Sequence, residues 1–363
     1  MKYIKQSLSL LFILLLFSGS TDIDEDSRFE TFLQNEWEYG LSQSPVYATA
    51  MGVKGLEKEW TDLSLRAINS RKLHDLQTLN RINTFNPETL SEDNQLNLRL
   101  FKQLSLEQVS LSKYDRHLLP FSHRGGVQLA HEDVEVLPLN SIEDYQNWLG
   151  RLKNLDKRIK QTINLAQIGI NKDYKAPKIL MERVHRQIQL QTNENIEANP
   201  FYKIFTNLPE FISIEEKEIL QTQAQQIIID QIVPAYKELE KFFQDQYLPS
   251  SRITVGLYDT PQGNELYSFL SKSYTTTTLS PEEIHEIGLK EVLRIRKEMD
   301  KVIKKVGFRG TFNEFLTFLR EDKQFYYETP EKLFEGYLVV SKRIDPELVK
   351  LFRTLPRTPY GLR

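Results

Sequence analysis

Two His-Glu pairs come closest to a catalytic spacing in this chain. A zinc peptidase helix needs two histidines one turn apart, so that both imidazoles meet one ion, with a glutamate between them to polarise the bound water. His285-Glu286 runs on into Ile287, Gly288 and Leu289, so the second histidine is missing. His131-Glu132 is followed by Asp133, Val134 and Glu135, which sets a His and a Glu four apart. The flanking residues read as loop or strand, where that spacing does not bring side chains together. Neither pair supplies a metal site, and the residues alone assign no catalytic group.

A second cluster is looser. His117, His123 and His131, with Arg116, Arg124 and Glu132, could line a polar cleft between Leu119 and Pro138. The bland alternative is a solvated loop whose histidines titrate normally. Gly125-Gly126 lies outside any phosphate-binding glycine pattern, and no G-x-S-x-G elbow is present. Tyr258, Tyr267 and Tyr274 flank a joint ahead of the His285 helix, where aromatic residues serve as packing or as ligand contacts.

The elements that must position these residues are mostly helices. Ser280-Pro281-Glu282-Glu283 is a helix start, with an N-cap serine, proline at the first turn and a capping-box glutamate. Ile284, Ile287, Val292, Ile295, Met299, Val302, Ile303 and Val306 then recur at helical spacing up to Gly307, which predicts one buried stripe. Earlier helices are expected from Phe29 to Leu41, within 63–82, and along Leu96, Leu100, Leu104 and Leu111. Ser141 with Asp144 caps a long helix through Trp148, Leu152, Leu155, Ile159 and Ile163 to Gly169, and Pro177 begins another. Ser213 with Glu216 starts a helix that Pro234 should kink. Thr311 with Glu314, and Thr329 with Pro330, start two more. Short strands are expected near Val134–Leu137 and over Arg252–Tyr258. The fold class is mainly α, a multi-helix array with one or two short hairpins or strands, and no internal repeat is evident.

Residues 1–20, with Lys2 and Lys5 ahead of an apolar run from Leu8 to Phe17 and then Ser18-Gly19-Ser20, have the layout of a signal peptide. The apolar run is too short for a comfortable bilayer span, so no permanent membrane anchor is expected. Thr21 to Ser27 reads as a flexible acidic leader. The absence of cysteine rules out disulfides, thiolate metal sites and a lipid anchor at the cleavage point. Loss of Lys2 and Lys5 takes the net charge from −3 to −5 with signs interspersed, which gives no electrostatic argument for nucleic acid.

One long stretch carries a resemblance. Tyr247-Leu248-Pro249, Arg252, Gly256-Leu257, Gly263, Tyr267 and Tyr274-Thr275-Thr276, then Leu279 to Leu289, Glu291-Val292, Arg294-Ile295 and Gly307-Phe308-Arg309-Gly310, resemble the bacterial domain of unknown function 885 family. The resemblance implies an exported, mostly helical protein similar to gluzincin zinc metallopeptidases, periplasmic or extracellular, with residues 21–363 as the family domain. It also implies an H-E-x-x-P-G-H motif downstream, which this sequence does not contain. No metal ligand therefore carries over, no cofactor is expected in this chain, and zinc is expected only for the complete family protein. The chain reads as an N-terminal part, incomplete at its C-terminus. A half-domain of that kind is expected to leave apolar surface exposed. Tyr258, Gly263, Tyr267, Tyr274, Thr276 and His285 are then expected along a substrate groove, with a peptide substrate or partner protein as ligand. The alternative is a non-catalytic helical module of the cell envelope that binds peptides or a partner protein.

Overall fold

The computed structural model describes residues 24–362. The expected signal peptide lies outside the described residues. Two compact units divide the chain, the first ending at Thr277 and the second beginning at Thr278.

The first unit opens with α1 (Glu25–Gln43), so the end of the expected acidic leader is already helical. Glu25 and Asp26 start it because carboxylates suit the positive end of a helix. Pro45 then begins the short α2 (Pro45–Ala50), and Ser64 caps α3 (Leu65–Ile82) by accepting from the Ala67 N–H. Ser91 caps α4 (Glu92–Leu111). Phe29, Phe32, Ile82, Phe85, Leu90 and Leu98 form the small core that joins these helices. The leucines that announced α4 are not its core: Leu96, Leu100 and Leu104 are exposed, and Leu98 is its buried leucine. Their spacing was true to a helix, but the face they mark is not the one α4 packs.

The predicted long helix from residue 142 to 169 is two helices, α5 (Ile142–Leu152) and α6 (Leu155–Asn171). The break falls at Lys153-Asn154, where the Asn154 amide donates to the carbonyls of Lys58 and Gly150 and so competes with helix continuation. Asp173 takes the left-handed conformation (φ 63°) after α6, and Tyr174 N–H closes onto the Gly169 carbonyl. The short α8 (Lys203–Thr206) follows α7 (Lys178–Gln191), and α9 (Ile214–Ile227) starts on the Ser213/Glu216 box.

From α9 the chain continues without a break through a π turn (Ile228–Ile232), α10 (Val233–Phe242), a second π turn (Phe243–Tyr247) and α11 (Leu248–Ser250). A proline ring clashes with the carbonyl four residues before it. Here those residues are Asp230 for Pro234 and Asp245 for Pro249, and each sits inside a widened turn. The sequence Asp-Gln-x-x-Pro thus occurs twice, at 230–234 and 245–249, a local repeat the sequence reading passed over. Buried Tyr236, Leu239, Phe243 and Tyr247 carry this rod into the main core with Trp148, Leu155 and Phe205.

Neither expected strand forms. Val134 lies in a 3-10 segment (Val127–Val136), and Arg252 makes only an isolated bridge to Pro177 before a 3-10 turn at Leu257–Asp259. Alternating residues propose a strand, but a strand needs a partner edge, and none is offered at either place among the described residues. The unit ends with α12 (Gly263–Thr275).

The second unit holds α13 (Pro281–Lys305), α14 (Phe312–Glu321) and α15 (Pro330–Ile344). The capping boxes at Ser280/Glu283 and Thr311/Glu314 form as read, Thr329 caps α15, and Gly307 (φ 72°) closes α13. Phe308 packs against Phe315 and Phe318. The expected buried stripe of α13 is not buried: Ile303 is, whereas Val292, Val302 and Val306 are more than half exposed.

Candidate functional site

Three helices of the first unit, α1, α3 and α4, enclose a cavity of about 870 Å³. That volume lies in the range of small-molecule and peptide pockets, about 300–1,000 Å³. Its walls repeat one rule. Glu36, Tyr39, Gly40 and Gln43 line it from α1, Arg71, His74, Asp75 and Thr78 from α3, and Phe101, Leu104, Ser105 and Gln108 from α4. Each set is spaced i, i+3, i+4, i+7, so each is a single helix face.

The α1 wall is locked to α3 through Glu36. Its carboxylate accepts from His74 Nε2 at 2.7 Å, from Thr78 Oγ1 at 2.9 Å and from Arg81 at 3.3 Å. Tyr39 stacks on the His74 ring at 3.5 Å between centroids. Asp26 fixes the α4 wall by accepting from Ser91 and, at 2.7 Å, from the Asn94 amide.

The other charges are less evenly matched. Burial pushes the Asp75 carboxyl above its usual range against a single weak hydrogen bond from Gln108 at 3.3 Å. Arg71 donates only to neutral oxygens, the Asp62 carbonyl at 3.0 Å and Gln43 Oε1 at 3.5 Å. Asp115 joins Lys72 and Lys172; although burial opposes it, those two hydrogen bonds hold its carboxyl below the usual range. His117 lies at the same cavity, and burial followed by the Lys72 charge holds its imidazole below the ordinary range.

The histidines of the expected polar loop are not brought to one place. His131 Nδ1 faces the Gln191 amide at 3.2 Å, and its ring meets Phe201 edge-on at 5.7 Å. His123 offers its carbonyl to Gln187, and Arg124 is exposed. The loop therefore serves packing at His131, and of the expected cleft histidines it is His117 that faces the cavity.

Among the expected groove residues the structure pairs Tyr258 and Tyr267, with ring centroids 4.9 Å apart. Gly263 makes that pairing possible. A Cβ there would stand 2.1 Å from the Leu257 carbonyl oxygen and 2.9 Å from the Tyr258 backbone. Tyr274 is exposed, and Thr276 holds a left-handed backbone (φ 53°) after α12. His285 is exposed near the start of α13, in the second unit.

Glu132 stands 3.9 Å from His131 Nε2, and no group of three or more metal-binding side chains occurs among the described residues. Adjacent His285 and Glu286 point to different faces of α13.

Residues 45–363 match the family described as bacterial proteins of unknown function, DUF885. The chain belongs to that family. A solved structure described as "the putative lipoprotein from Colwellia psychrerythraea" has the same fold as this DUF885 chain, with a TM-score of 0.75 at 20% identity. The similarity covers 93% of the DUF885 chain described here and 62% of the Colwellia chain. No curated protein matches it. Among the described residues no helix is long and apolar enough to cross a membrane.

The sequence reading missed Glu36, Tyr39, Arg71, His74 and Asp75. None of them stands in a motif in the sequence. The available signal was the recurrence of a mixed polar and aromatic stripe at helical spacing in the three long helices α1, α3 and α4.

Proposed function

We propose that this chain is the helical, peptide-holding part of an exported, metallopeptidase-like protein of the cell envelope, and carries no hydrolytic centre of its own. The observation that carries the reading is the α1/α3/α4 cavity, whose walls combine aromatic rings with carboxylates, guanidinium groups and amides. An extended peptide offers both kinds of partner, apolar side chains and backbone hydrogen-bonding groups. The metallopeptidase likeness rests on the sequence resemblance alone, and the description of the Colwellia protein as a putative lipoprotein supports an envelope location. The same reading assigns the exposed Tyr258–Tyr267 pair to the peptide's path.

Purified chain titrated with short apolar peptides, followed by calorimetry and by the fluorescence of Trp37 at the cavity, is expected to show saturable binding without cleavage. Zinc is expected to be substoichiometric. Tyr267→Ala is expected to weaken binding several-fold. Chelator-sensitive cleavage, or no peptide binding at all, overturns the proposal.

A second reading, a self-sufficient module that binds a partner protein, is favoured by the exposed apolar residues of α13 and α15. It predicts no dependence of partner binding on the cavity residues.

A further inference from the structure

The charge around the cavity is lopsided once the groups that satisfy one another are set aside. Glu36 is taken up by His74, Thr78 and Arg81. Lys72 is taken up by Asp115, which also pairs with Lys172. What remains along the lining is Arg71 and Arg116 against Asp75, two cations facing one carboxylate. Arg71 is half-buried and has no carboxylate within ion-pairing distance. Arg116 reaches the same cavity from the segment after α4, and among the described residues its side chain makes no ion pair. Guanidinium groups present paired N–H donors that match a carboxylate. Beside them stand Trp37, Tyr39 and Phe101, which offer an apolar body somewhere to lie.

From this juxtaposition we infer that the cavity binds an amphiphilic carboxylate, with the anionic end held by Arg71 and Arg116 and the apolar body against the aromatic wall. This rests on the peptide-holding reading and sharpens it: the end of a peptide that meets all of these requirements is a C-terminal carboxylate following a bulky apolar residue. A free aryl carboxylate shares the chemistry. Asp75 already accepts from the Gln108 amide at 3.3 Å, and Arg71 and Arg116 outnumber it along the lining.

The test uses the full chain and three probes: an N-acetylated tripeptide ending in phenylalanine, the same tripeptide as its C-terminal amide, and 3-phenylpropionate. The acid is expected to bind at least about tenfold more tightly than the amide, the size of effect a charge-assisted pair supplies. Arg116→Gln, at an exposed position outside any ion pair among the described residues, is expected to keep the circular dichroism spectrum and shrink that preference. Arg71→Gln should do the same, and if it unfolds the chain, Arg116→Gln carries the decision. Binding of 3-phenylpropionate in competition with the acid would mark the site as one for small carboxylates at large. Failure to compete would restrict it to peptide ends, and either result upholds the carboxylate site. Equal affinity for acid and amide sinks the carboxylate inference and leaves peptide holding intact. Absence of binding by all three sinks both.

Discussion

His131 is a histidine whose protonation this fold disfavours. Burial holds its proton affinity below the ordinary range, and it outweighs the opposing pull of Glu132, Glu135 and Asp133. His117 is shifted the same way by burial and Lys72. Below an unfolded-state pKa of about 6.5 the unfolded chain therefore binds more protons at these sites than the folded one. Their stability contribution is complete above that pH and is lost as pH falls through the lower folded values. Denaturant midpoints are expected to drop between pH 7.5 and 5.5. His131→Phe keeps a ring against Phe201 and removes one titration, so it should flatten that slope; an unchanged slope refutes the assignment. Nothing in the sequence around His131 announced this role. Its neighbour Glu132 suggested chemistry, while burial sets the direction of its shift and its hydrogen-bond partner, Gln191, lies sixty positions away.

At the scale of elements, caps were the most legible part of the sequence. Ser141/Asp144, Ser213/Glu216, Ser280/Glu283 and Thr311/Glu314 all form, because a capping box is a local transaction between a backbone and side chains three residues apart. What depended on distant partners was illegible: the break at Asn154, whose partner is Lys58, and the missing strands, which lacked an edge to join. The cavity belongs to the same class, since three helices contribute a face each and no one of them reveals the enclosure. Close approach separates two glycines that look alike in sequence. A Cβ on Gly169 would lie 2.3 Å from the Leu118 carbonyl oxygen, where backbone must move, whereas Gly288 in α13 has open space around it. Gly169→Ala is expected to cost about 1–3 kcal/mol. Gly288→Ala should instead stabilise by about 0.5–1 kcal/mol, the ordinary gain of alanine inside a helix. Chemical denaturation of both variants measures the difference, and equal effects would mean that the contact at Leu118 yields freely.

Over the whole molecule, burial is unevenly shared between the two units. The first has a continuous core built on α5, α6, α7, α9 and α10. In the second, Val292 and Leu293 of α13 and Tyr337, Val339 and Val340 of α15 stand substantially exposed. Apolar surface of this kind attracts hydrophobic dyes and partners. Native chain is expected to enhance anilinonaphthalene sulfonate fluorescence, and Leu293→Lys with Val340→Lys together should remove most of the enhancement at unchanged helix content. A dark native state would show that these side chains are covered. The first unit's core depends in turn on the rod that runs from α9 to α11. Ile228, Ile232 and Tyr236 are buried four apart, as are Leu239, Phe243 and Tyr247. A step of four overshoots an α-turn by about 40°, and the wider π turns give the excess back. The rod therefore keeps time with its core through two surplus residues. Deleting one residue between the two turns, within 233–242, where no surplus is available, would swing every later side chain by about 100°, delivering Gln244 and Leu248 where Phe243 and Tyr247 belong. Length in this segment is thus as strictly constrained as residue type, and a frame-preserving loss of one codon would do more harm than most substitutions.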